Sequence, residues 1–159
     1  LNTKVSSIIK LNESYKITLN EGEDIFCNKI ISTIPSYSLK DIVFDDKLKN
    51  VLSKVNYNPI DVFHFGFDRD ALDIKIDGFG LLTKPQDKKS FLGVLFSSNI
   101  FEHVSNNKKF LITVLAGGDR QKDLCKEAPK SLERQILNEI LPLLRLKSGP
   151  EFKNHFRWP

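Results

Sequence analysis

The sequence predicts an α+β fold, a largely antiparallel mixed sheet with flanking helices. Three observations predict it. Between Asp77 and Gly118, three apolar runs too short for helices (Gly78–Leu82, Ser90–Ser98 and Phe110–Ala116) are separated by turn-forming segments that carry Pro85, Asp87, Asn106 and Asn107. From Ile60 to Phe67, Phe63, Phe65 and Phe67 alternate with Val62, His64 and Gly66, which is the period of a strand with two unlike faces. From Ser131 to Leu144, the positions of Leu132, Ile136, Ile140, Leu143 and Leu144 are helical, with Glu133, Arg134 and Glu139 turned outward.

The other elements follow in chain order. Thr3–Leu11 and Tyr15–Leu19 read as two strands around Asn12-Glu13-Ser14, since Tyr15, Ile17 and Leu19 alternate with Lys16 and Thr18. After Glu21-Gly22-Glu23, a third strand is expected from about Lys29 to Thr33. Pro35 fixes the turn out of it. Ser36 is placed to cap a short helix through Ile42, and Asp45-Asp46 to start another through about Val55. Leu48, Val51, Leu52 and Val55 of that helix should form one buried stripe. Asp119 is expected to cap a short helical segment reaching Cys125, and Pro142 to distort or end the last turn of the long helix. Phe152–Trp158, where aromatic residues alternate with Lys153 and Arg157, is a final strand. Glycines lie inside the first two apolar runs and at the end of the third. They fit bulges and turn ends, or the close approach of something flat; spacing alone favours the former.

Composition narrows the function classes. At 159 residues, with 40% hydrophobic and 28% charged residues, the chain is long enough to bury a core and has an ordinary globular balance. The net charge of +4 is spread as lysines among acids, which reads as a solvated surface and not as a nucleic-acid interface. Cys27 and Cys125 lie far apart without metal-ligand spacing, so buried free thiols in a reducing compartment are expected. His64, His103 and His155 are isolated, and no metal site is expected. His64 reads as a strand histidine packed beside other side chains, with acid or base service as the alternative. No apolar run reaches the ~20 residues of a spanning helix. Ser97-Ser98 lacks a nucleophile elbow, and Asp68 and Asp70 flank Arg69 in a solvent-facing turn, so no catalytic residue is assigned.

The order of these pieces resembles the substrate domain of the protoporphyrinogen oxidase family, which includes bacterial coproporphyrinogen oxidases and is related to the flavin amine oxidases. The resemblance is carried by Gly78-Phe79-Gly80-Leu81-Leu82, by Leu92-Gly93-Val94-Leu95-Phe96-Ser97-Ser98 with Ile100-Phe101, and by the strand ending in Gly117-Gly118. Ile30–Pro35 looks like the family's strand into Thr-x-Pro, Phe65-Gly66-Phe67-Asp68 like its Gly-Phe-Asp strand end, and Arg157-Trp158 like its Arg-Trp. Glu102-His103-Val104 stands where the family has Pro and a basic residue. The family's Gly-x-Gly-x-x-Gly loop, which holds the FAD pyrophosphate, does not occur. The chain therefore reads as an excised middle piece of a longer flavoenzyme. Residues 1–35 would be an arm of the FAD-binding domain and 36–159 a substrate-binding domain truncated before the C-terminal flavin segment.

The resemblance implies a porphyrinogen substrate, with FAD in the full-length enzyme and oxygen as acceptor in haem biosynthesis. By position it implies that Gly80, Leu82, Leu95 and Leu115 contact the tetrapyrrole, and that Val5 and Thr33 lie at the cofactor. It also implies the remaining FAD-binding domain as partner, and a cytoplasmic location with peripheral membrane association of the full enzyme as an option. The rival readings are another flavin amine oxidase relative, such as a carotenoid desaturase, and a non-catalytic ligand-binding module. Because FAD affinity depends heavily on the pyrophosphate loop, this chain alone is expected to purify colourless. An absorbance spectrum checks it: a flavin band at near-stoichiometric level contradicts the expectation.

Overall fold

The computed structural model describes residues 2–106 and 108–158, so Asn107, counted above among the turn signals, lies outside it. The chain divides into two compact units, Leu1–Tyr57 and Asn58–Pro159.

In the first unit, β1 (Val5–Lys10), β2 (Tyr15–Leu19) and β3 (Asp24–Cys27) form an antiparallel sheet in that order. The third strand comes earlier than expected. Gly22 sits at φ +84° and the Leu19 N–H donates to the Glu23 carbonyl at 2.8 Å, so the chain reverses tightly and Asp24–Cys27 pairs at once with β2. Lys29–Thr33 has no ladder partner among the described residues, and Ile31 is 92% exposed. Helices α1 (Ser36–Ile42) and α2 (Asp46–Leu52) follow. Asp45 caps α2 as expected, its carboxylate accepting from the Lys47 and Leu48 N–H groups at 2.8 and 3.1 Å. Ser36 does not cap α1. Its hydroxyl is buried without a partner among the described residues, while its N–H donates to the Tyr57 hydroxyl at 3.0 Å. Leu48, Val51 and Val55 are exposed instead of forming a buried stripe, because no element of this unit covers that face of α2.

The first compact unit runs past Pro35 to Tyr57. Val43, just past α1, bridges to Ile8 of β1, and the Tyr57 hydroxyl holds the start of α1, so residues 36–57 pack with the three-stranded sheet.

The second unit contains β4 (Ile60–Asp68), β5 (Gly80–Leu82), β6 (Gly93–Leu95), a single turn α3 (Ser97–Ile100), β7 (Lys109–Gly117), α4 (Pro129–Leu143) and β8 (Phe152–Trp158). Its five strands lie in the order β5-β6-β7-β4-β8, and every neighbouring pair is antiparallel. Of the apolar run Ser90–Ser98 only Gly93–Leu95 is strand. The Asn99 and Ile100 N–H groups turn back to the Phe96 carbonyl, which starts α3. A run of 3₁₀ turns, Asp119–Lys126, follows β7; Gly118 and not Asp119 occupies its cap.

Alternation in β4 decides the core. Phe63, Phe65 and Phe67 are fully buried, as are their counterparts Phe110, Ile112 and Val114 on β7. Leu132, Ile136 and Ile140, the stripe of α4, are fully buried in the same cluster. Pro129 opens α4 at a position that needs no intrahelical N–H partner, and Pro142 falls in the last turn, so both are tolerated. One face of the sheet is therefore closed by α4.

Phe65→Ala should destabilise the protein by about 3–5 kcal/mol, since it empties the centre of this layer. Denaturant unfolding measures this; a loss below ~1 kcal/mol would mean that the layer is not packed as described.

Candidate functional site

The other face of the sheet is open. Ladder register sorts its side chains into rows running across the strands. One row reads Leu82, Gly93, Leu115, Val62 and Phe156 from β5 to β8. The next reads Gly80, Leu95, Thr113, His64 and Asn154. Leu82, Leu95 and Leu115 thus share one face, with Gly80 and Gly93 between them. Leu82 is 86% exposed and Leu95 44%, and Phe152, Phe156 and Trp158 are exposed on the same face of β8. So much unburied apolar surface on one sheet marks a contact surface for a ligand or another element.

The glycines have a steric reason inside the sheet itself. A Cβ at Gly80 would overlap the Val94 carbonyl oxygen, and one at Gly93 would lie 2.8 Å from the Leu81 carbonyl oxygen and 2.8 Å from a methyl of Leu82. Their absence of side chains lets β5 approach β6 and lets Leu82 lie over Gly93.

Within this apolar face lies a short polar chain. His64 Nδ1 is 2.9 Å from Thr113 Oγ1, which is 2.8 Å from Ser97 Oγ. Ser98 Oγ accepts from the Leu111 N–H at 3.1 Å, fixing the start of α3 against β7. At the edge beside Leu82, Lys84, Lys88, Lys89 and Arg120 line one concavity of about 400 Å³. Arg120 donates to the Thr83 carbonyl and hydroxyl at 3.0 and 2.9 Å.

On the closed face, Asp61 is completely buried. Arg157, directly opposite it in the ladder, donates through Nε and Nη2 to the two carboxylate oxygens at 2.9 and 3.1 Å, and to the Glu127 carbonyl at 3.0 Å. His155 Nε2 is 2.5 Å from the same carboxylate, its ring against Phe63. Burial works against ionisation of Asp61, but the hydrogen bonds from Arg157 and His155 outweigh it and hold its carboxyl below the usual range. Burial pushes the nearby Cys125 thiol up. Cys125 is a buried free thiol, as expected; Cys27 is free but only partly buried.

In the first unit, Val5 and Thr33 line one groove of about 540 Å³ with Ile8, Ile30, Ile34 and Pro35. Its apolar walls suit a flat heterocycle. Among the described residues no cluster of His, Cys, Asp or Glu is arranged to hold a metal.

The sequence profile described as "Flavin containing amine oxidoreductase" matches residues 1–159. The chain belongs to this family. Within the flavin-containing amine oxidoreductases, it is 27% identical to the mitochondrial protoporphyrinogen oxidase of Nicotiana tabacum, over 87% of this chain and 29% of that one. It is 30% identical to the protoporphyrinogen oxidase of Dictyostelium discoideum, over 97% of this chain and 34% of that one. It thus spans about a third of the length of these curated relatives. The fold is similar to that of cyclohexylamine oxidase from Brevibacterium oxydans IH-35A, with a TM-score of 0.73 at 10% identity over 98% of this chain and 34% of that one. A candidate protoporphyrinogen oxidase from Exiguobacterium sp. 255-15 gives 0.72 at 16% identity, with the same coverage.

Sequence reasoning about this family member singled out the apolar positions of the open face through the family resemblance, and strand alternation placed them on one face. It missed Asp61 and the chain from His64 to Ser97, whose partners are 96, 94, 49 and 16 residues away. Only the single acid at an inward position of β4 hinted at the first.

Arg157→Ala should lower stability by about 3–5 kcal/mol, because it leaves the Asp61 charge buried with a single partner. The Asp61 carboxyl is depressed in the folded state, so its stabilisation is present above the unfolded carboxylate value of ~3.9 and is lost as pH falls through the lower folded value. Melting temperatures taken downward from pH 7 should therefore fall less steeply in the acid range for Asp61→Asn than for the wild type; parallel curves would contradict this.

Proposed function

We propose that this chain forms the substrate-binding part of an FAD-dependent porphyrinogen oxidase, which converts protoporphyrinogen or coproporphyrinogen to porphyrin with oxygen as acceptor in haem biosynthesis. The observation that carries the reading is the open sheet face. Leu82, Leu95 and Leu115 stand in adjacent rows, exposed or half-buried, on a surface that no element of the second unit covers. A porphyrinogen is broad and mostly apolar, with anionic carboxylates at its rim. The leucines pack against the macrocycle, and the sheet fixes its plane and keeps water from one side. The positive charge of Lys84, Lys88 and Lys89 beside Leu82 suits the carboxylates. The names of the curated relatives support the same substrate.

FAD, when bound, supplies the hydride acceptor and the route to oxygen. Val5 and Thr33 would meet its apolar part in the groove of the first unit, and the pyrophosphate would be held by the FAD-binding remainder of the enzyme. The reading carries with it a cytoplasmic enzyme, with peripheral membrane association of the full enzyme as an option. Porphyrin fluorescence, followed with the flavin-loaded enzyme containing this segment, tests the function on both porphyrinogens. Production from neither overturns it.

Leu82 tests the wall directly. Its exposure means that Leu82→Glu should leave flavin content and melting temperature unchanged while turnover falls. Leu82→Ala removes roughly 2 kcal/mol of apolar contact at most, about thirtyfold in affinity. The glutamate should be worse, since it sets a charge against an apolar ring. Unchanged turnover in the folded Leu82→Glu enzyme rules out the role.

A further inference from the structure

A polar chain crosses the open face, from β4 through β7 to α3. His64 stands in the row next to Leu82 and Leu115, in the strand between β7 and β8. Its Nδ1 is engaged with Thr113 Oγ1, and Thr113 with Ser97 Oγ. Its Nε2 has no hydrogen-bond partner among the described residues. The side chains that surround it on this face from β4, β7 and β8 are Val62, Leu111, Leu115, Phe152, Phe156 and Asn154, and none of them titrates. Asp61, three residues away on the same strand, turns to the opposite face; on this face the nearest charged groups along the strand, Asp68 and Lys109, are paired with each other at 3.1 Å at its end, where Lys109 also meets Glu151 at 2.6 Å. An imidazole held through one nitrogen and free at the other, in an apolar wall, is arranged for proton transfer.

Resting on the proposed function, we infer that His64 is the catalytic proton acceptor of porphyrinogen oxidation, with Thr113 and Ser97 as the positioning residues that lead the proton away. Conversion of a porphyrinogen to a porphyrin removes four hydrogens from bridge carbons and two from pyrrole nitrogens. Three would leave as hydride: each C–H bond would break with its electron pair, for which FAD, when bound, would be the acceptor. Three leave as protons, two from nitrogen and one from the remaining bridge carbon. In each round the N–H or C–H bond breaks, its electrons stay in the macrocycle as the new π bond, and the proton bonds to Nε2 of neutral His64. The imidazolium Nδ1–H donates to Thr113 Oγ1, and the Thr113 hydroxyl donates to Ser97 Oγ. Relay of a proton along these bonds to water at Ser97 leaves a neutral ring with its hydrogen on Nε2; loss of that hydrogen to water and return of one to Nδ1 through the reoriented Ser97 and Thr113 hydroxyls, with no net change in protons, restores the accepting tautomer before the next round. The wall thus supplies a base whose partners the sequence alone does not reveal.

The test uses the flavin-loaded enzyme carrying this segment, as wild type, His64→Gln and Thr113→Val. Protoporphyrinogen and coproporphyrinogen are mixed with each anaerobically across a range of pH, and flavin bleaching is followed. Flavin content, melting temperature and the Kd for product porphyrin are measured on the same preparations. In the wild type, the rate should rise with the deprotonation of one group. His64→Gln should slow flavin reduction about 100-fold and lose that limb, with flavin content and porphyrin Kd unchanged. Thr113→Val keeps the side-chain shape and removes the oxygen that stabilises the imidazolium, so its limb should move to lower pH. Wild-type rate and pH profile in His64→Gln overturn the relay and leave the proposed function intact. An unshifted limb in Thr113→Val overturns it equally, and decides the matter if His64→Gln loses its fold. Flavin that neither porphyrinogen reduces in the wild type overturns the functional reading, and the relay with it.

Discussion

Strand β4 is bonded along both edges, to β7 on one side and β8 on the other, and its alternation divides the second unit into two chemistries. Asp61, Phe63, Phe65 and Phe67 turn to the face that α4 closes; Val62, His64 and Gly66 turn to the face that stays open. Antiparallel pairing carries this division outward, because residues opposite each other in a ladder point the same way. A slip of one residue against β7 would bring His64 into the core and expose three phenylalanines. Apolar burial by those rings holds the register, and the register holds the open face in its arrangement.

Asp61 adds a constraint of another kind. A buried carboxylate is tolerated only where its charge is met, and here Arg157 and His155 meet it from β8. Since Arg157 also reaches the Glu127 carbonyl, the edge strand is tied both to β4 and to the chain entering α4. This directs the odd-numbered residues of β8 inward and leaves Phe152, Phe156 and Trp158 outward. An aromatic edge facing out, with its charged residues facing in, reverses the pattern of a strand at the rim of a closed domain. It extends the apolar face at the expense of local hydrophobic burial.

The open face joins broad apolar surface with one polar row. The leucines of β5, β6 and β7 offer a flat contact, the lysines beside Leu82 add positive charge at one edge, and His64 brings a titratable nitrogen among side chains that do not titrate. Binding and proton transfer can therefore share one surface without a catalytic loop. The glycines, for which spacing alone favours bulges and turn ends over the close approach of something flat, have a steric role within the sheet: Gly80 and Gly93 remove clashes between β5 and β6.

What the sequence by itself determined are the features that repeat at short range. The phenylalanines of β4 recur every second residue, and the stripe of α4 recurs at helical spacing, so both were legible with their faces. The apolar positions Leu82, Leu95 and Leu115 came from the family resemblance, and the same alternation gave their common face. Tertiary structure decided whatever depends on a partner far along the chain. Lys29–Thr33 has strand composition but no neighbouring strand, while Asp24–Cys27, more polar, gains one through a tight turn. The stripe of α2 has helical spacing but nothing in its unit to cover it. The Asp61 cluster and the bonds among His64, Thr113 and Ser97 join residues up to 96 positions apart. Periodicity reports which way a side chain points, whereas a hydrogen bond needs to know what stands opposite, and only strand register supplies that.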